Sequence, residues 1–123
     1  MKSKKYKEIF KLKKMLEDAK IPFSWNEGWG YGKERYEELS MIPGLEHYQI
    51  CYPVFDSDHR WISVIEGFGT HGAEQDKLEI MGGFTPWERY ELDLNEDCVM
   101  GYLTANNVFN RIKKNWEERK DER

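Results

Sequence analysis

The stretch from Trp61 to Gly83 constrains the fold of this chain more than any other part of the sequence. It opens with a β-branched and aromatic run over residues 61–65, continues through three glycines in residues 67–72, and ends in a second apolar run, Leu78–Met81. β-branched and aromatic residues favour a pleated, half-buried strand, whereas glycines mark tight turns or close approach of the backbone. The stretch therefore predicts two strands joined by a glycine-rich turn.

Three further strands are predicted around this stretch. Residues 46–55 alternate between two faces, with Tyr48, Ile50 and Tyr52 on one of them. The turn residues 56–59 separate this strand from the next, which predicts an antiparallel hairpin. Shorter strands are predicted over residues 22–27 and 98–103.

Helices are predicted at both ends of the chain. The first begins near Ser3 as N-cap and runs to Ala19, because Pro22 disfavours helical geometry in the residue before it. The last begins after Thr104, a good N-cap, and places its apolar residues within an arc of about 100°. Residues 117–123 form a charged tail that we expect to be frayed.

This order of elements predicts an α+β fold in a single domain, residues 1–123. An N-terminal helix, an antiparallel sheet of three to five strands and a C-terminal helix are expected, with both helices packed on one sheet face. The other face would then be uncovered and available for function. Two connections are predicted to lack regular structure: the variable aromatic and glycine loop 28–45, and the polar, exposed segment 85–97.

Aromatic residues make up 15 % of the 123 residues, while apolar residues make up only 39 %. Much of the core volume must therefore come from Trp, Tyr and Phe, although part of the aromatic surface could serve a partner, since Trp and Tyr are common at interfaces. The candidate binding residues are Trp29 and Tyr31 in the 28–45 loop, together with Trp61.

The sequence predicts a cytoplasmic protein with reduced thiols. Cys51 and Cys98 lie among apolar neighbours, and the lysine-rich start of the chain lacks the apolar region of a signal peptide. No run approaches the roughly 18 apolar residues of a membrane span, so no membrane association is expected. No cofactor is predicted either.

Charge is distributed unevenly along the chain. Residues 1–20 carry eight lysines and three acids, whereas residues 21–103 carry five basic and sixteen acidic groups. The first helix could bind nucleic acid through Lys4, Lys7, Lys11 and Lys14. Because the acidic middle and a pI of about 5.5 oppose binding to a polyanion, a solvated lysine face is favoured over a nucleic-acid partner.

The segment Gly67–Gly72 matches the G-x-G-x-x-G spacing of dinucleotide-binding proteins. In those proteins a helix begins at the glycines and points its N–H groups at the pyrophosphate. Residues 73–77 are too short and too acidic for that helix, so a glycine-rich strand connection is the favoured interpretation.

The same turn supplies a histidine and several carboxylates. His71, Glu66, Glu74 and Glu79 are weak catalytic candidates, as a general base with orienting carboxylates or as metal ligands. Solvated acids on a turn are the favoured alternative. A second set could be assembled into a metal site, but its spacing matches no standard zinc pattern, so no metal is predicted; its members are His47, Cys51, Asp56, Asp58 and His59.

Three segments in the second half of the chain resemble a group of small uncharacterised proteins encoded by phages and prophages of Gram-positive bacteria. They are Ser63–Glu66 with the glycine turn, Leu78–Gly82, and Gly101–Ala105 leading into a helix that ends in tryptophan. The resemblance implies a phage accessory protein of the bacterial cytosol and assigns no functional residue.

The leading hypothesis is a non-enzymatic module that binds a host or phage protein, or a second copy of itself. The uncovered sheet face and the Trp29/Tyr31 loop would provide its binding surface. The alternatives are a small hydrolase or metal-dependent enzyme centred on His71, and nucleic-acid binding through the lysines of the first helix.

Overall fold

The computed structural model describes residues 5–27, 46–54, 59–94 and 98–119. In these ranges, no helix has the length and apolar character needed to cross a membrane. The helices are α1 (Glu8–Asp18), α2 (Pro86–Glu91) and α3 (Ala105–Glu118), and the strands are β1 (Ser24–Glu27), β2 (His47–Tyr52), β3 (Ile62–Gly67), β4 (Leu78–Gly82) and β5 (Val99–Leu103).

The five strands form one antiparallel sheet in the order in which they occur along the chain. Ile50 lies opposite Val64, and Val64 lies opposite Ile80, so these three side chains share one face of the sheet. Both long helices supply apolar residues to the core on that face. The predicted α+β architecture, with both helices on one sheet face, is confirmed.

The N-terminus of α1 differs from the sequence-based prediction. The helix begins at Glu8, and its N-cap residue, Lys7, makes no side-chain capping hydrogen bond. The proposed N-cap, Ser3, lies outside the described residues. Carboxylates that are distant in sequence, on Asp76 and Glu66, accept the first N–H groups of the helix instead.

The prediction that residues 85–97 are irregular was wrong, because α2 lies in this segment. Thr85 accepts a hydrogen bond from the backbone N–H of Glu88, and the Glu88 side chain accepts one from the backbone N–H of Thr85. This reciprocal capping box, with Pro86 in the first helical turn, is a strong helix start signal. The Thr85–Glu88 spacing therefore predicts a helix here, although the acids and the proline of the segment favour a loop.

The sheet face opposite the long helices is not uncovered at its centre, contrary to the prediction. All six residues of β2 and all six of β3 are buried. On that face, Gln49 and Cys51 are 0 % exposed, and Ser63 is 5 % exposed. Gln49 donates a hydrogen bond to Ser63 across the two strands, at 2.9 Å. This polar layer is therefore part of the interior and does not offer a broad docking face.

Candidate functional sites

The glycine turn after β3 is a compact, internally bonded structure. The Thr70 hydroxyl donates to the carbonyl of Gly67 at 2.9 Å, and the backbone N–H of Gly67 donates to the same hydroxyl at 3.2 Å. Gly72 adopts a φ of 99°, which favours glycine, and a single 3₁₀ turn follows over Ala73–Gln75. Because no α-helix begins here, the turn lacks the feature that dinucleotide binding requires.

His71 and Glu79 form the closest side-chain pair at this turn. Glu79 on β4 accepts hydrogen bonds from the backbone N–H of His71 at 2.9 Å and from its Nδ1 at 2.5 Å, both on Oε1. The side chain of Glu79 is 9 % exposed and that of His71 is 65 % exposed. Since an ionised carboxylate only accepts hydrogen bonds, Nδ1 carries the proton in this contact, and Nε2 of the neutral ring is an acceptor.

A β-bulge in β5 packs against the same histidine. Leu78 pairs with Leu103 while Ile80 pairs with Met100, so Gly101 and Tyr102 both lie opposite Glu79. A Cβ atom at position 101 would lie 2.4 Å from the Cβ of His71, so only glycine permits this approach. Tyr102 has a φ of 63°, which is strained for a bulky residue, and its side chain is 59 % exposed.

These elements line an open groove of about 500 Å³. Phe68 and Tyr102 contribute exposed aromatic rings, His71 contributes its oriented imidazole, and Lys5 and Glu74 contribute charge. Such a groove can hold a small ligand or a peptide segment by stacking and hydrogen bonding.

The carboxylates predicted to surround His71 do not all converge on it. Glu66 lies on the opposite face of the sheet, where it is 0 % exposed and accepts the backbone N–H of Ile9 at 3.0 Å. Glu74 is exposed on the 3₁₀ turn. Only Glu79 is hydrogen-bonded to the histidine, so the structure provides an oriented base rather than a multidentate carboxylate cluster.

The second candidate site is the short helix α2, which sequence reasoning missed. None of its residues is fully buried. Trp87 is 69 % exposed, Tyr90 is 82 % exposed, and Leu92, immediately after the helix, is 59 % exposed. We refer to these three side chains as the α2 surface. The tryptophan and the tyrosine are of the residue types that dominate binding energy at protein interfaces.

An ion pair fixes α2 against α3. Arg111 donates from Nη1 and Nη2 to the two carboxylate oxygens of Glu88, both at 2.7 Å, and from Nη1 to the carbonyl of Gly83 at 3.2 Å. Both side chains are largely buried, at 11 % and 17 % exposure. The Arg111 guanidinium lowers the pKa of Glu88 to about 2, so the pair stays ionised at neutral pH.

The other predicted binding residues are placed less favourably or lie outside the described residues. Trp61 packs edge-on against Tyr52, at 6.2 Å between ring centroids, and borders a shallow cavity of about 230 Å³ beside α3. Trp29 and Tyr31 lie outside the described residues. The proposed binding loop is therefore not placed by the structure.

The lysines of the first helix remain on a charged surface. Lys14 pairs with Asp18 at 3.6 Å, and Lys11 is exposed. The backbone N–H of Lys7 donates to Asp76 at 2.8 Å, while Lys4 lies outside the described residues. Nucleic-acid binding stays a prediction.

Among the residues that the structure describes, no three His, Cys, Asp or Glu side chains are grouped so that they could bind a metal ion. Of the alternative metal set, Asp56 and Asp58 fall outside those residues. His47 uses Nε2 in a contact with the carbonyl of Phe68, and Cys51 is buried, which raises the pKa of its thiol. Burial of a thiol favours its neutral form, which is a poor metal ligand.

Comparison with known proteins finds no match among family models, curated proteins or solved structures. The resemblance to phage-encoded proteins therefore stays a prediction.

The contact with Glu79 should determine the tautomer of His71. We expect the ring to carry its proton on Nδ1 in the neutral protein, and Glu79→Met to shift it towards Nε2 by removing the acceptor. Nitrogen-15 spectra of the imidazole distinguish these tautomers. Glu74→Met, at an exposed position on the same turn, should leave the tautomer unchanged; an Nε2–H form in the wild type would contradict the assignment.

Proposed function

We propose that this chain is a non-enzymatic protein-binding module and that the α2 surface is its main contact. The observation that supports this proposal most directly is the exposure of Trp87 and Tyr90 on a helix that is held by its own capping box and by Arg111. Large aromatic side chains presented on a rigid element lose little conformational entropy on binding. The rigidity of α2 and the exposure of its two aromatic side chains together favour binding to a partner over a role in the protein's own core.

The charges around the α2 surface indicate the chemistry of the partner. Glu91 and Asp93 are exposed beside the aromatic side chains, and Arg89 is the exposed cation of the same segment. Glu88 is already neutralised by Arg111. The rim is therefore acidic, which favours a partner with an apolar pocket and a basic border.

We further infer that the partner is a host or phage protein and that binding takes place in the bacterial cytoplasm. The likeness to phage-encoded proteins supports a host or phage protein as the partner. Cys51 and Cys98 are both thiols, which is in keeping with a reducing cytoplasm of a bacterial cell. A second copy of the chain is an alternative partner, although the acidic rim opposes it through like-charge repulsion.

Site-specific photo-crosslinking tests the binding proposal. A photoreactive phenylalanine derivative in place of Tyr90 should give one discrete protein adduct in host cells, because this side chain is 82 % exposed at the centre of the α2 surface. The adduct should be identified by mass spectrometry. Binding of that protein to the Trp87→Ala variant should then be at least roughly 30-fold weaker, as expected for removal of an interface tryptophan.

The same photoreactive residue at Lys14, which is 72 % exposed on α1, is the matched control. Because the Trp87 side chain is 69 % exposed, its removal should leave the thermal unfolding midpoint nearly unchanged. Identical adducts from both positions, no adduct at Tyr90, or an affinity insensitive to Trp87→Ala would contradict the proposal.

The His71–Glu79 pair supports a second candidate function, a small hydrolase with His71 as general base. The imidazole is oriented through Nδ1 by a mostly buried carboxylate, and His71 lines the open groove, so the ring is suited to accept a proton from water. The required nucleophile would be that water, since the neighbouring Thr70 hydroxyl is hydrogen-bonded to Gly67.

Hydrolysis of p-nitrophenyl acetate and bis-p-nitrophenyl phosphate tests this second function. His71→Ala and Glu79→Met should each lower a measurable rate by about 100-fold or more, the typical contribution of general base catalysis. His59→Ala is the control for non-specific reactivity of a surface histidine. Rates equal to those of the control would remove the enzymatic function for these substrates.

A further inference from the structure

Three backbone N–H groups at the start of α1 are bound by carboxyl groups from the sheet side. Oδ1 of Asp76 accepts from Lys7 at 2.8 Å and from Glu8 at 3.0 Å, while Oε1 of Glu66 accepts from Ile9 at 3.0 Å. These are donors that a helix cannot satisfy internally. The position of α1 on the sheet therefore depends on two residues that are 57 to 69 positions away in sequence.

The second oxygen of Glu66 is buried without a matching donor. Glu66 is 0 % exposed, and its Oε2 has no hydrogen-bond partner among the described residues. An ionised carboxylate in this position would lose hydration without compensation, and it would lie beside the carboxylate of Asp76. A proton on Oε2 would make that oxygen a donor, and the neighbouring Asp76 carboxylate is an available acceptor.

The electrostatics of both groups agree with this geometry. Burial, reinforced by the neighbouring Asp76, raises the pKa of Glu66 to about 9. Burial alone would raise the pKa of Asp76 too, but its interactions with Glu66 and with the N–H groups of Glu8 and Lys7 outweigh that effect and lower it. One carboxyl thus stays protonated while the other stays ionised.

We propose that a single proton shared between Glu66 and Asp76 acts as a latch that holds α1 on the sheet, and that its loss releases the helix as the pH rises. Ionisation would bring the charge of Glu66 close to those of Asp76 and Glu8, while the Lys7 cation acts on Asp76. On the neighbouring strand β2, the buried Tyr48 lies opposite Glu66. This tyrosine bears no charge at neutral pH.

The latch extends to α3 through Glu8. Oε1 of Glu8 accepts the backbone N–H of Ala105 at 2.9 Å, in the first turn of α3. Movement of α1 away from the sheet would therefore remove a hydrogen bond from the start of α3 as well. The two long helices are coupled to the same proton.

The pH dependence of folding stability follows from the difference between the pKa of Glu66 in the folded chain and in the unfolded chain. The ordinary pKa of Glu66 is 4.5, whereas in the folded protein it is about 9. Between these values the folded chain binds a proton that the unfolded chain lacks, so stability falls as the pH rises through that window. Asp76 contributes the opposite trend below its ordinary pKa of 3.8. Stability due to this pair is therefore greatest between about pH 4 and 5.

Thermal unfolding of Glu66→Gln and of the wild type tests the latch. A glutamine mimics the protonated carboxyl, so the two proteins should unfold at similar temperatures at pH 5. At pH 8 the variant should be more stable by roughly 10 °C or more, because its folding requires no proton uptake. Glu74→Gln makes the same substitution at an exposed position and should show no such pH-dependent gain.

Hydrogen exchange of the α1 amides provides a second, independent measurement on the wild type. If opening of α1 releases the proton, protection factors should fall about ten-fold for each pH unit between pH 6 and 8, and should be independent of pH in Glu66→Gln. Unfolding curves of wild type and variant that differ by the same amount at pH 5 and 8 would overturn the proposal. If the variant does not fold, pH-independent protection in the wild type would overturn it.

Discussion

The docking of α1 on the sheet depends on carboxyl groups that cap the helix from outside. Its N-cap residue, Lys7, provides no capping side chain, and the sheet and its following turn provide Glu66 and Asp76 instead. Because α1 in turn donates Glu8 to the start of α3, the relative placement of both long helices follows from this interaction. The apolar core packs between both helices and the sheet.

The residues that break local rules are concentrated at the end of the sheet near the glycine turn and on α2. Glu66 is a buried acid in a helix-capping role, Tyr102 has a positive φ at a β-bulge, and Trp87 is an exposed tryptophan. Such departures from local preference are expected at functional or strained positions. The proposed protein binding by α2 would account for Trp87, and the proposed proton latch would account for Glu66.

Much of the fold could be predicted from the sequence because its signals are local. Alternation along β2 gave the correct two faces, and Thr104 is the N-cap of α3, where its hydroxyl accepts the N–H of Asn107. The helix α2 was missed although Thr85 and Glu88 carry a capping-box spacing, because the abundance of acids and the proline favoured a loop.

The remaining features depend on contacts between distant residues. The pairing of Glu66 with Ile9 spans 57 positions, and no local pattern indicates it. Likewise, the register of β3 against β4 decides that Glu79, and not Glu66, reaches His71. Glu79 lies opposite Ile65, so it shares a sheet face with Ile65, whereas Glu66 lies on the other face. The sheet face opposite the helices was expected to be exposed to solvent, because no helix was predicted to pack on it. Gln49 and Ser63 on that face are nevertheless buried.

The proposed binding by α2 requires that this helix be rigid and exposed in the isolated protein. Backbone nitrogen-15 relaxation of residues 86–91 measures this rigidity. The helix has no fully buried residue, so its rigidity must come from its capping box and from the ion pair with Arg111. Order parameters of about 0.85, matching those of α3, are the expected result. Values below about 0.6 in α2, with α3 rigid, would show that the helix is not preorganised and would contradict the claim.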